Sequence, residues 1–176
     1  MQEILIKLPV SNQFEEGNDK EWAHRICAIS SLWMLLKLHD PGFDLSVMDL
    51  VKRGLEKNGY LENIGWKHAV VAELANEFGL GLTYAKKFFY SPEEKEGGME
   101  IINRNLRSKQ PVVASIYHEL NPAKAGHMVV VRGLQEFRNV IIGYHIQDSD
   151  GRWRGHNYFL TRQEFLNGWR GGLIYK

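Results

Sequence analysis

The chain has 176 residues, a length that predicts one domain, 1–176, able to bury a core without disulfides or a structural metal. Its 22 Lys and Arg against 21 Asp and Glu leave a formal net charge of +1, which argues against nucleic acid or a membrane surface as partner. No apolar run is long enough to span a bilayer, and the first residues lack the pattern of a signal peptide, so we expect a cytoplasmic protein.

Helical patterns dominate the first part of the chain. After a short extended opening at Ile4–Val10, the segment Cys27–Leu38 is apolar almost all round, which is typical of a helix buried in the centre of a domain. Ser46 and Asp49 then predict a capping box at the start of a helix that ends near Gly59.

Three more helices are predicted from periodicity and capping patterns. They run over Lys67–Phe78, from Met99 to about Ser108, and from the capping box at Thr161 to about Gly168. The charged, glycine-containing stretch SPEEKEGG, residues 91–98, precedes the second of them and predicts an exposed loop.

From Pro111 the pattern changes to short runs rich in Val and Ile. PVVASIY, HMVVVRGL and NVIIGYHIQ are bounded by Pro, Gly and Asn and predict strands, with a last strand at Leu173–Tyr175. We therefore expect an α+β fold in which an N-terminal helical part packs on a C-terminal antiparallel sheet.

The single cysteine, Cys27, is a candidate nucleophile because it begins the buried helix. Unpaired backbone N–H groups and the helix dipole favour negative charge at such a position, which suits a thiolate. The alternative is an unreactive core residue, since free cysteines are often buried.

A nucleophilic cysteine needs a histidine, and the histidine needs an orienting carboxylate. His127 is the best of the seven histidines because it opens a strand directly after the NPAKAG loop. If the strands HMVVVRGL and NVIIGYHIQ form a hairpin that turns around Phe137, residues on the two strands whose numbers sum to about 275 face each other. His127 then faces Asp148, and Asp150 fits less well.

These residues resemble the bacteriocin-processing (double-glycine) peptidase-like cysteine peptidases of the papain superfamily, and the match runs almost end to end. The motifs that carry the resemblance are LPVSNQ ending at Gln13, CAISSLWM from Cys27, Gly65–Trp66, Pro111–Val112, Gly126–His127, and Asp148.

The resemblance implies a papain-like fold in which Cys27 attacks a peptide carbonyl, His127 acts as base and then acid, and Asp148 holds the imidazole. It also implies that Gln13 donates to the oxyanion. Transporter-linked members have that glutamine six residues before the cysteine, where this chain has Glu21, a carboxylate that cannot donate. Ala28 departs from the usual glycine after the nucleophile.

The remaining candidates are weaker. Trp66 and Trp153 are the best aromatic residues for lining a peptide groove. His118 and His145 are expected to be hydrogen-bonded or surface residues, and the histidine spacings give no metal site, so no cofactor is expected.

Three functions stay open at this point: a peptidase acting on a peptide or protein, a peptide-binding module without activity, and an acyltransferase that uses the same acyl-thioester intermediate. The charge near zero predicts that contacts in the groove select the substrate. The sequence does not address oligomeric state.

Overall fold

The computed structural model describes residues 1–17 and 21–176. The helices are α1 (Gln13–Glu16), α2 (Cys27–His39), α3 (Val47–Glu56), α4 (His68–Glu77), α5 (Pro92–Arg107) and α6 (Arg162–Gly168). The strands are β1 (Gln2–Leu5), β2 (Tyr60–Leu61), β3 (Gly65–Trp66), β4 (Thr83–Tyr84), β5 (Val112–Tyr117), β6 (Gly126–Phe137), β7 (Val140–Gln147), β8 (Asn157–Thr161) and β9 (Trp169–Tyr175).

Within the described part of the chain, seven strands form an antiparallel sheet in the order β4-β9-β5-β6-β7-β8, with β1 as an additional partner of β6. The length of β6 allows this arrangement, because β5 pairs with Gly126–Val131 while β1 pairs with Gly133–Glu136. Strands β2 and β3 form a separate small hairpin between α3 and α4.

Helices cover both faces of the sheet. Alternate residues of a strand point to opposite faces, so Val113 and Val130 pack with α2, α3 and α4, whereas Val112 and Val129 pack with α5 and α6. The predicted α+β class and the packing of an N-terminal helical layer on the sheet are confirmed.

Helix α5 covers Pro92–Arg107, which confirms the predicted helix from Met99 to about Ser108. The helix begins earlier than expected, so the prediction of a loop over 91–98 was wrong. Ser91 and Glu94 form a capping box with Pro at the start of the helix, which is a strong start signal. Gly98 is a contact residue rather than a breaker, because a Cβ there would lie 2.4 Å from the ring of Trp169.

The β6–β7 hairpin turns at Arg138 and Asn139, both with positive φ, which is the conformation of a two-residue type I′ turn. The predicted register was therefore wrong: Val130 pairs with Gln147, two positions beyond the expected partner. Asp148 follows the last paired residue of β7.

Other boundaries differ less from the predictions. The opening strand β1 covers Gln2–Leu5 and does not extend to Val10, α3 ends at Glu56, and β9 begins at Trp169, earlier than expected. In residues 1–17 and 21–176, no helix is long and apolar enough to cross a membrane. The cytoplasmic location stays a prediction.

Candidate active site

Cys27 is the first residue of α2, and its side chain is partly exposed where two cavities meet. Ile26 precedes it as the N-cap and makes no side-chain hydrogen bond to the first turn. The apolar helix that follows is almost fully buried, which fixes the position of its first residue. The thiol therefore lies in front of backbone N–H groups that no capping side chain occupies.

His127 lies between a carboxylate and the cysteine. It is the second residue of β6, paired with Ile116 of β5, and its Nε2 lies 2.6 Å from Oδ1 of Asp148. Cys27 and His127 line the same two cavities, and the Cys27 side chain raises the pKa of the ring. Because Asp148 engages Nε2, Nδ1 is the ring nitrogen left for the sulfur.

The loop that follows β7 fixes Asp148. Its carboxylate accepts hydrogen bonds from the Asp150 backbone N–H at 2.8 Å and from the Tyr158 hydroxyl at 3.0 Å. Its backbone N–H donates to the His156 carbonyl at 2.9 Å, and its own carbonyl lies 2.8 Å from His156 Nδ1. These bonds point the carboxylate at His127 although the strand register does not place the two residues opposite each other.

His127 and Asp148 are both buried, and each changes the pKa of the other. Burial lowers the pKa of His127, but the Asp148 carboxylate and Cys27 outweigh it, so this pKa is well above the ordinary value. Burial raises the pKa of Asp148, but the charge and hydrogen bond of His127 bring it below the usual range. Both shifts favour an imidazolium beside a carboxylate.

Gln13 begins α1 and is buried beside the same site. Its Nε2 donates to the Ala23 carbonyl at 2.9 Å, and its Oε1 accepts from the Ser149 hydroxyl at 2.7 Å. The contact with a carbonyl fixes which end of the amide carries the protons. The second N–H of this amide has no partner among the described residues, and Gln13 lines a cavity together with Cys27 and His127.

Glu21, six residues before the cysteine, forms an ion pair with Arg25 at 3.1 Å. It is absent from the linings of the two cavities at Cys27, whereas Gln13 is present in one of them.

The larger cavity at Cys27 has a volume of about 630 Å³ and a wall rich in aromatic rings. Trp66 lines it, packed against the rings of Trp22 and Tyr60, and its Nε1 donates to the Arg25 carbonyl at 2.8 Å. Ala28 also lies in this wall, next to the thiol.

Trp153 is not part of the wall of either cavity at Cys27. Its ring packs edge-on against Tyr158 at 5.8 Å, and the Arg154 guanidinium lies over it at 4.2 Å. Of the two tryptophans predicted to line a groove, Trp66 lies in the wall of a cavity at Cys27 and Trp153 lies outside both cavities.

The smaller cavity, about 330 Å³, contains a polar cluster that the sequence interpretation did not assemble. His118 Nε2 lies 2.9 Å from the Asp150 carboxylate, which also accepts two hydrogen bonds from the Arg152 guanidinium, at 2.6 and 2.8 Å. The His118 ring contacts His127 edge-on at 5.3 Å. His145 lies elsewhere and pairs with Glu3 at 2.8 Å.

The sequence offers Asp150 as a poorer partner for His127 and predicts that His118 is a hydrogen-bonded or surface residue, but no sequence signal links either of them to Arg152. Among the described residues, no group of three or more His, Cys, Asp and Glu side chains is arranged to hold a metal ion.

Comparison with protein families gives one match that covers most of the chain. The model of the Peptidase_C39 like family matches residues 5–171. The comparison with curated proteins gives no match.

Solved structures share the fold at low sequence identity. A Bacillus anthracis protein described as a C39-like peptidase matches with a TM-score of 0.68 and 17% identity, over 100% of this chain and 98% of the other. The peptidase domain of Streptococcus ComA, a bifunctional ABC transporter involved in quorum sensing, has a TM-score of 0.59 and 20% identity, over 86% and 90%.

A structure from work on the mite allergens Blo t 1 and Der p 1 matches with a TM-score of 0.56 and 13% identity, over 97% of this chain and 66% of the other. The papain-like fold expected from the sequence motifs is confirmed by these similarities.

Proposed function

This chain is a member of the Peptidase_C39 like family, and from that premise we propose that Cys27, His127 and Asp148 are its catalytic triad. It is a papain-like cysteine peptidase by family and fold. One observation carries the residue assignment: the buried His127 ring lies 2.6 Å from the Asp148 carboxylate and lines the same two cavities as Cys27.

In the proposed reaction, the Cys27 sulfur attacks the carbonyl carbon of the substrate and forms a tetrahedral intermediate. His127 gives its Nδ1 proton to the leaving amine as the peptide bond breaks, which leaves an acyl-thioester. His127 then takes a proton from water, whose oxygen attacks the thioester, and the sulfur leaves as the acid product is released. The raised pKa of His127 favours the imidazolium, which stabilises a neighbouring thiolate.

Gln13 is the proposed oxyanion donor. Ala23 and Ser149 hold its amide in place, and no described residue accepts from its second N–H, so donation to an oxyanion needs no rearrangement of the side chain. The backbone N–H of Cys27, at the start of α2, is the proposed second donor. A carboxylate at position 13 offers no proton at neutral pH and repels an oxyanion.

We propose a peptide or protein as substrate, bound in the aromatic-walled cavity with Trp66 as one contact. A stand-alone activity on leader peptides of the double-glycine type is the finer form of this proposal. The non-catalytic module and the acyltransferase are its competitors, and they differ in products: no turnover in the first case, and amides formed with added amines in the second.

The test is hydrolysis of a peptide library followed by mass spectrometry, with and without an added amine. We expect cleavage products from the wild-type chain and none from Cys27→Ala or His127→Ala. His39→Ala, which changes an exposed histidine at the end of α2, is the matched control and keeps activity. Turnover that survives Cys27→Ala contradicts the proposal.

A further inference from the structure

The larger cavity at Cys27 has an excess of positively charged side chains in its lining. Among the residues that the structure describes, its lining contains four Lys and Arg side chains and no Asp or Glu. Arg25 is neutralised by Glu21 and Glu62, at 3.1 and 3.2 Å. The other three, Lys67, Lys86 and Arg170, form no ion pair with any residue in the described part of the chain.

Arg170 is the least exposed of these three residues. It is a partly buried residue of β9, and its guanidinium covers the backbone of Gly126, where a Cβ would lie 1.8 Å from a terminal guanidinium nitrogen. Gly126 directly precedes His127, so the guanidinium lies next to the proposed base. The Tyr117 ring, 5.7 Å away, supports it from one side.

A neighbouring histidine does not add to this charge. Burial and, to a smaller degree, the charge of Arg170 lower the pKa of His68 to about 4, so its ring is neutral at pH 7. The ring stacks on Phe88, and its buried Nδ1 has no hydrogen-bond partner among the described residues.

We propose that this cavity is an anion-binding subsite in which Arg170 binds a carboxylate of the peptide substrate. This inference rests on the proposed function. A guanidinium presents parallel N–H donors that match a carboxylate, and such charge-assisted hydrogen bonds are the stronger ones. Lys67 and Lys86, on the exposed rim, add attraction of the same sign.

The smaller cavity does not have Lys or Arg side chains available to bind a carboxylate in the same way. Its Lys and Arg side chains are already paired within the protein, Arg152 with Asp150 and Lys124 with Glu119. A net charge of +1 for the chain therefore conceals a local excess of positive charge on one side of Cys27. The carboxylate has two sources in a peptide: an acidic side chain or the free C-terminus.

The experiment compares kcat/KM for matched peptides. One series has both ends blocked and carries Glu or Gln at successive positions. A second series is neutral, with a C-terminal carboxylate or amide. We expect one carboxylate position to raise kcat/KM about tenfold. The series in which it does so identifies the source.

Arg170→Gln is expected to bring that ratio close to 1, and Arg170→Glu to reverse it. Arg104→Gln removes the same charge from an exposed site on α5 and is the matched control, with the ratio retained. Arg170→Lys keeps the charge without the guanidinium, and we expect an intermediate ratio.

Failure of this inference is distinguishable from failure of the proposed function. Hydrolysis with equal kcat/KM for the carboxylate and neutral peptides overturns the subsite and leaves the triad standing. Binding of the same peptides to Cys27→Ala, measured by calorimetry, tests the subsite without turnover. Equal affinities there also overturn it.

Discussion

The two sides of Cys27 differ in how their charges are matched. On the side of the smaller cavity, Asp148 and Asp150 are buried, and each has a cationic or hydrogen-bonding partner within the protein. On the side of the larger cavity, Arg170 and two lysines line the cavity and form no ion pair with any residue that the structure describes. Both sides are polar, but only the first has its charges satisfied from within.

This difference distinguishes the charges that stabilise the geometry of the site from those that are available to bind a ligand. A matched, buried charge fixes geometry, because moving it exposes an unpaired ion to a low-dielectric interior. An unmatched, half-buried charge contributes little to folding and keeps its hydrogen bonds for a partner. The proposals for His127 and Arg170 therefore predict different consequences of mutation.

Removing the charge of Asp148 is expected to have the largest effect. Asp148→Asn lowers kcat about 10³-fold, because the His127 imidazolium loses its stabilising partner. The pKa of His127 is raised in the folded protein mainly by this carboxylate acting against burial. Without it burial prevails, the pKa falls, and the alkaline limb of kcat/KM moves to lower pH.

The measurement is a pH profile of kcat/KM for both proteins. The activity that depends on the imidazolium is present at low pH and is lost as the pH rises through the pKa of His127. Asp44→Asn, at an exposed site before α3, is the control and keeps the wild-type profile. An unchanged alkaline limb in Asp148→Asn contradicts the assignment.

Gln13→Glu is expected to lower kcat about 10²-fold with a small change in KM, because an oxyanion donor acts in the transition state. The new carboxylate also meets the Ala23 carbonyl, so Gln13→Ala is needed as a second variant. Gln163→Glu, an exposed change on α6, is the matched control. A rise in KM with kcat unchanged indicates substrate binding and argues against this role.

The free energy of unfolding is expected to distinguish the paired charge of Asp150 from the unpaired charge of Arg170. Asp150→Asn is expected to lower the free energy of unfolding by about 1 to 2 kcal/mol at pH 7, through lost bonds to Arg152 and His118. Arg170→Gln changes it by less than about 0.5 kcal/mol. Denaturant unfolding measures both. Equal losses remove the distinction between matched and unmatched charges.

The Asp150 effect also has a defined pH dependence. Burial opposes ionisation, but Arg152 and His118 outweigh it and hold the pKa of Asp150 far below the ordinary value. The stabilisation is therefore present above about pH 4 and decreases as the pH falls below that value. The difference between the wild type and Asp150→Asn shrinks accordingly.

Local patterns in the sequence were sufficient for most elements. The capping boxes at Ser46 and Thr161 mark α3 and α6 correctly, because a cap and its partner are three residues apart and need no tertiary information. The box at Ser91 is followed by two glycines, Gly97 and Gly98, which are typical of a loop and mask the start signal of α5. Gly98 allows the Trp169 ring to pack against the helix, and this contact involves a residue near the other end of the chain that local sequence does not reveal.

The site itself depends on contacts that sequence spacing does not encode. The prediction brought His127 and Asp148 together through a register that was wrong by two residues. A loop held by His156 and Tyr158 makes the contact instead. Arg170 has no local signal at all, since its place over Gly126 follows from the pairing of β5 with both β6 and β9.

The most direct test of the central claim, that His127 activates Cys27, is the rate of alkylation by iodoacetamide at pH 6. A free thiol with its usual pKa near 8.5 is almost entirely protonated at that pH and reacts slowly. We predict that Cys27 reacts much faster than such a thiol and that His127→Ala removes the difference. A rate equal to that of a free thiol, unaffected by His127→Ala, contradicts the account.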